Sequence, residues 1–82
     1  MKKIITTSDI LKLISTTLEV EDGIVNENTT AEDIDSWDSI GQLGILIKLD
    51  ELFEGKVGII PEISEATSIA KIFKILKMHS LI

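Results

Sequence analysis

The sequence predicts an all-α fold, a small three- to four-helix bundle with a long loop between the first two major helices. Three observations carry this expectation. Apolar residues recur three or four positions apart in three separate segments, the spacing of a single helix face. No run alternates apolar and polar residues for long enough to propose a strand. Gly55 and Pro61, strong breakers, both fall between the second and third of these segments.

Taken in order, the first helix is expected from Ser8 to Leu18, where Ile10, Leu11, Ile14 and Leu18 share a face and Thr7 or Ser8 is available as N-cap. Glu19 to Asp38 holds eight acids, Gly23, Asn26, Asn28 and two threonines, with Ile24, Val25 and Ile34 as isolated apolar anchors. That composition reads as a loop, and loops of this length in compact domains are commonly functional. Ser39 to Glu54 is the densest helical segment, and Gly55 ends it. At about 100° per residue, Ile45, Leu46, Leu49, Leu52 and Phe53 fall on one broad arc, the expected core face. Ile40, Gly44, Ile47 and Glu51 fall on another side, so Ile40 and Ile47 either stay outside the core or are covered by the last helix or the loop. Pro61 suits neither a strand nor a helix interior, so Val57 to Ile60 is expected to connect and to bury Ile59 or Ile60. A short turn is placed near Ile63 to Ala66. Thr67 or Ser68 then caps a last helix with Ile69, Ile72, Phe73, Leu76 and Leu81 facing inward and Lys71, Lys74 and Lys77 facing water. His79, in the last turn, suits the helix dipole and receives no function.

Eighty-two residues predict one domain over 1–82, able to bury roughly 60% of the surface of its unfolded chain. The apolar fraction of 44%, dominated by sixteen isoleucines and nine leucines, is too high for a disordered chain. The absence of cysteine removes disulfides, thiolate metal sites and a cysteine nucleophile, and one histidine rules out the usual zinc sets. Asp33, Asp35 and Asp38 alternate like the start of a calcium loop. Trp37 in the fifth position, Asp38 at the required glycine and Gly44 at the bidentate glutamate argue against it.

The net charge of −6 disfavours nucleic acid and anionic lipid and points to basic protein surfaces as partners. The acids concentrate between Glu19 and Ala66, where the net charge is −11, while the flanks carry +5. Met1-Lys2-Lys3-Ile4-Ile5 begins like a signal peptide, but Thr6-Thr7-Ser8-Asp9 ends the apolar run. No stretch approaches the roughly 20 apolar residues of a membrane span. A cytoplasmic monomer is the expectation.

The most informative stretch is Asp38-Ser39-Ile40, followed by Leu43, Ile45, Leu46 and Leu49-Asp50-Glu51-Leu52-Phe53. Here the sequence resembles the acyl carrier protein family, which has an Asp-Ser-Leu sequence at the start of its second helix and a Leu-Glu-Glu-x-Phe-like ending. The resemblance extends over nearly the whole chain, through the long loop, Ile59 after the helix, and Thr67 opening a final amphipathic helix. It implies that Ser39 receives 4′-phosphopantetheine from coenzyme A and carries an acyl, aminoacyl or polyketide group as a thioester. It further implies a phosphopantetheinyl transferase and acyl-loading and acyl-processing enzymes as partners. Trp37 is similar to stand-alone and secondary-metabolism carriers, whereas Gly41 and Gly44 stand where fatty-acid-synthesis carriers commonly have acids.

The residues add their own argument. A helix N-terminus, with its unpaired N–H groups and partial positive charge, favours a phosphodiester beside Ser39. A serine hydroxyl is a weak nucleophile, and no histidine is near it in sequence, so Ser39 is expected to be modified by another enzyme and the chain itself to be no catalyst. A competing structural role exists, because Ser39-Ile40-Gly41-Gln42 also fits a capping box. The expected docking surface for basic partners comprises Asp38, Ile40, Gly44, Ile47, Asp50, Glu51 and Glu54. The alternative function is an acidic, carrier-like interaction module that is never modified.

Overall fold

The first helix forms because Thr6 and Asp9 close a reciprocal cap. Thr6 Oγ1 accepts from the Asp9 N–H at 3.1 Å, and Asp9 Oδ2 accepts from the Thr6 N–H at 2.9 Å. The helix, α1, therefore runs Thr7–Leu18, one residue earlier than the expected Ser8, and its N-cap is Thr6 rather than Thr7 or Ser8. It ends at Glu19, whose left-handed backbone turns its N–H back onto Ser15 and Thr16. The computed structural model describes residues 4–82; Met1, Lys2 and Lys3, part of the signal-like run and of the basic flank, lie outside the described residues.

Three α-helices and two short 3₁₀ turns make the described chain all-helical, with no strand. The second helix, α2, is Ser39–Leu52, and the third, α3, is Ile69–Met78. The 3₁₀ turns are Ala31–Asp33 and Pro61–Glu65. Proline opens the second of these, where its missing N–H costs nothing, so the turn expected near Ile63 to Ala66 starts two residues earlier. The radius of gyration, 11.7 Å, is that of a compact globule of this length.

Ile10, Ile14 and Leu18 of α1 meet Ile45 and Leu49 of α2, Phe53 at its C-cap, and Ile69, Ile72, Phe73, Ile75 and Leu76 of α3 in one buried cluster. Leu46 and Leu52, expected in the core, are only partly buried at its edge. Val57 and Ile60 enter the core while Ile59 stays outside it, which settles the pair left open by the sequence. Lys71, Lys74 and Lys77 face solvent. Ser68 caps α3 by accepting from the Lys71 N–H at 3.2 Å.

The helix α2 runs back along α1. Gly41 lies against Leu18, Gly44 against Thr17, and Leu52 shares a groove with Ile5. Both glycines sit at close approaches. A Cβ built at Gly41 would overlap the backbone oxygen of Ser36, and one at Gly44 would come within 3.2 Å of the Thr17 methyl. Their helix-propensity cost, about 1 kcal/mol each, is thus exchanged for tighter packing of α2 on α1 and on the preceding loop.

The long loop is fastened at several points. Val25, Ile34 and Trp37 are buried, whereas Ile24, expected as an anchor, is half exposed. Ser36 Oγ donates to the Leu18 oxygen at 2.8 Å, tying the loop to the end of α1. Further back, the Ala31 N–H donates to the Thr67 oxygen at 2.8 Å and the Ile69 N–H to the Thr29 oxygen at 3.0 Å. These two bonds flank an isolated antiparallel bridge between Thr30 and Ser68.

Candidate functional site

The start of α2 is built by Asp38. Its backbone is extended, its Oδ1 accepts from the Gly41 N–H at 2.9 Å, and its carbonyl accepts from the Gln42 N–H at 2.8 Å. Asp38 is therefore the N-cap and Ser39 the first helical residue. The capping box written over Ser39 and Gln42 does not form, because Asp38, one residue earlier, already satisfies the donor that Ser39 would have taken. Ser39 is exposed, and its hydroxyl makes no hydrogen bond among the described residues. The N–H groups of Ser39 and Ile40 likewise have no partner among the described residues, as expected for the first turn of a helix.

Gln42 is occupied elsewhere. Its Oε1 accepts from the Trp37 indole N–H at 2.6 Å, and its Nε2 donates to the backbone oxygens of Ser64 at 3.3 Å and Ala66 at 3.1 Å. One side chain thus joins the loop before Ser39, the first turn of α2, and the turn that precedes α3. Trp37 itself is only 3% exposed, a core residue the apolar anchors of the loop did not include. Its place two residues ahead of a helix start, where N′ residues often pack onto the helix, was the available signal.

Along α2, Ile40 is 80% exposed and Ile47 51% exposed, so neither the loop nor the last helix covers them. Leu43 and, from the following segment, Ile59 are also exposed. Leu43 lies three residues after Ile40 and four before Ile47, so the same helical spacing that grouped those two already contained it. Residues 40, 43 and 47 form an aliphatic stripe that begins beside Ser39.

The remaining docking candidates divide. Asp38 and Glu54 are exposed, and Glu51 is exposed beside Lys48, with 3.6 Å between Oε2 and Nζ. Asp50 is half-buried and its Oδ1 accepts from the Gly58 N–H at 2.7 Å, so its carboxylate holds the segment after α2 against the helix. Gly44 faces Thr17 of α1 and offers no side chain to a partner.

Away from Ser39, an open groove of about 540 Å3 lies between α1 and the second half of α2, lined by Ile5, Lys12, Leu13, Thr16, Lys48 and Leu52 among others. Neither Ser39 nor any docking candidate lines it. At the other end, His79 Nε2 lies 3.0 Å from Glu62 Oε1. That hydrogen bond, helped by one from the Glu62 backbone, holds the Glu62 carboxyl below its ordinary value of 4.5. Among the described residues, no three His, Asp or Glu side chains gather closely enough to hold a metal ion, and no helix is long and apolar enough to cross a membrane. The chain matches no protein-family model, no curated protein and no solved structure.

Proposed function

We propose that this chain is an acyl carrier protein whose Ser39 is modified by a phosphopantetheinyl transferase with 4′-phosphopantetheine from coenzyme A. The observation that carries the reading is the division of labour at the start of α2. Asp38 does the capping, which leaves the neighbouring serine exposed, unengaged and held in regular backbone geometry. The N–H groups of Ser39 and Ile40 add two donors at the positive end of a helix, which fits a phosphodiester on the serine oxygen. In the transfer, the Ser39 oxygen forms the new bond to phosphorus, the pyrophosphate linkage of coenzyme A breaks, and adenosine 3′,5′-bisphosphate leaves with the bonding electrons. The hydroxyl proton goes to a base on the transferase. Once attached, the arm supplies the thiol that a cysteine-free chain lacks and holds a carboxylic acid as a thioester.

The order of elements, with a long fastened loop before α2 and a short turn before α3, supports a carrier-type bundle. Acyl-loading and acyl-processing enzymes with basic rims would dock on Asp38, Glu51 and Glu54 around the stripe of Ile40, Leu43 and Ile47. The chain is read as a single-domain cytoplasmic monomer that is acted upon rather than a catalyst.

The test is intact mass after incubation with coenzyme A, magnesium and a broad-specificity transferase. A gain of one phosphopantetheinyl group that Ser39→Ala abolishes is expected. A folded chain that gains nothing would refute the reading and leave the same surface as that of an unmodified acidic interaction module.

A further inference from the structure

Gln42 stands apart from every other polar side chain of α2 in the number of elements it joins. Its three partners also fix its identity. An indole N–H only donates, so it needs an acceptor; the Ser64 and Ala66 carbonyls only accept, so they need donors. A primary amide supplies an acceptor and two donors at one site, whereas a hydroxyl or a neutral imidazole has a single donor. Glutamate would keep the acceptor and lose both donors, lysine would do the reverse, and methionine, of similar length, would supply neither. The orientation of the amide follows from the same constraint, since the reversed amide would set donor against donor and acceptor against acceptor.

Trp37 has few other ways to be satisfied. Its ring is buried, and its indole N–H has Gln42 as its hydrogen-bond partner among the described residues. Its backbone N–H donates to the Ile34 oxygen at 3.0 Å, which closes the turn leading into Asp38. On the far side, Ser64 and Ala66 belong to the segment that packs between α2 and α3. We infer that Gln42 is a positioning residue for Ser39: through Trp37 it holds the turn that places the Asp38 cap, and through Ser64 and Ala66 it makes that turn depend on the docking of the Pro61–Glu65 segment. This inference rests on the modification of Ser39 proposed above for its functional consequence, although the coupling itself is a property of the fold.

The experiment uses the full chain with Gln42→Met, Gln42→Glu and, as a control for stability alone, Ile72→Val in the core at a distance in sequence from Ser39. Three readouts are taken: Trp37 emission, amide exchange over residues 61–66, and steady-state transfer to Ser39 resolved into kcat and KM. Gln42→Met strands a buried donor, so Trp37 emission is expected to shift to the red and protection over 61–66 to fall by about fivefold or more. Gln42→Glu keeps the indole acceptor but loses the donors to 61–66, so it is expected to release that segment and to shift Trp37 emission to the red by less than Gln42→Met; release of 61–66 with unshifted emission would show that the turn does not depend on that segment. Gln42→Met is expected to lower kcat/KM at Ser39 by about fivefold or more, mainly through KM, while Ile72→Val leaves it within about twofold. Equal slowing by Gln42→Met and Ile72→Val would reduce Gln42 to a stability role, and unchanged Trp37 emission in Gln42→Met would overturn the coupling outright. If the wild-type chain takes up no group, the carrier reading fails, and the emission and exchange results still decide whether Gln42 couples the two segments.

Discussion

Replacing Gly41 with alanine sets two physical effects against each other. Helix propensity alone predicts stabilisation, since alanine in a helix interior is favoured over glycine by about 1 kcal/mol. The structure predicts the opposite sign. The new methyl would overlap the backbone oxygen of Ser36 and press on Leu18 Cδ2, 3.1 Å away. A backbone carbonyl has no rotamer to escape into, so the loop must move. Such overpacking costs about 1–3 kcal/mol. Moving Ser36 also endangers its 2.8 Å bond to the Leu18 oxygen, worth about another 1 kcal/mol. The net expectation for Gly41→Ala is a loss of about 1–3 kcal/mol. Gly44→Ala is the paired control, because its new methyl meets only the Thr17 methyl, at 3.2 Å, and a side chain can give by the few tenths of an ångström required. That change is expected to be neutral or to stabilise by up to about 1 kcal/mol. Urea unfolding followed by circular dichroism measures both, with an unchanged denaturant slope showing that the transition is still the same one. A Gly41→Ala chain as stable as wild type, or less damaged than Gly44→Ala, would refute the close approach of loop and helix.

Other outcomes follow from the same geometry. Asp38→Ala is expected to cost about 1 kcal/mol as a lost cap, whereas Ser39→Ala, at an exposed position with no side-chain bond, is expected to stay within about 0.5 kcal/mol of wild type while abolishing modification; urea unfolding and intact mass check the two halves. Leu49→Ala and Ile45→Ala are each expected to lose about 2–5 kcal/mol by chemical denaturation, and Ile47→Ala on the exposed stripe under about 0.5 kcal/mol. The Glu62 carboxyl, held down by His79, is expected to titrate below 4.5 by nuclear magnetic resonance. Because its folded value lies below the unfolded one, its contribution to stability is present above the unfolded value and lost as pH falls through the folded one, and Glu62→Gln is expected to remove that dependence. Transfer to Ser39 is expected to slow as salt shortens the Debye length from about 10 Å at 0.1 M to about 3 Å at 1 M, and Glu51→Lys is expected to raise KM more than Glu32→Lys, which changes the net charge equally; equal effects would withdraw the acidic side of the docking surface.

The sequence exposes most of α3 because its stripe is clean: lysines alternate with Ile69, Ile72, Phe73 and Leu76, and the helix has one apolar face to bury. Ile75, omitted from the expected inner face, widens it. In α2 the same periodicity locates the helix but ranks its faces less well, because Ile40, Leu43 and Ile47 are as apolar as the core positions Ile45 and Leu49. Hydrophobicity says which residues would gain from burial; it does not say whether a short chain has a surface left to bury them against. The start of α2 at Ser39 is legible, whereas the competing capping box over Ser39 and Gln42 lies one residue late, because Asp38 and Ser39 are both good caps and only the backbone geometry chooses between them. Trp37 with Gln42, Asp50 with Gly58, and Thr29 to Ala31 with Thr67 to Ile69 were out of reach for another reason. Each is a pairing across the chain, and the partners carry no mark of one another in local sequence.

The bridge between Thr30 and Ser68 divides the connection from α1 to α2 into two stretches with unequal freedom to change length. Between Glu19 and Asn28 the chain is mostly exposed and passes through Gly23 with a positive φ of 92°, and its ends are joined to the fold on either side. Lengthening a flexible surface loop costs little, about 0.6 kcal/mol for each doubling, so extra residues near Glu21 to Gly23 are a modest entropic burden. Between Glu32 and Asp38 the chain must leave the bridge, bury Ile34 and Trp37, bond to Leu18 and deliver the cap, all within seven positions. One added residue there would put Trp37 or Asp38 out of register with its partner. Labels, tags or grafted segments therefore belong before the bridge, and the stretch after it behaves as a ruler of set length that ends at Ser39.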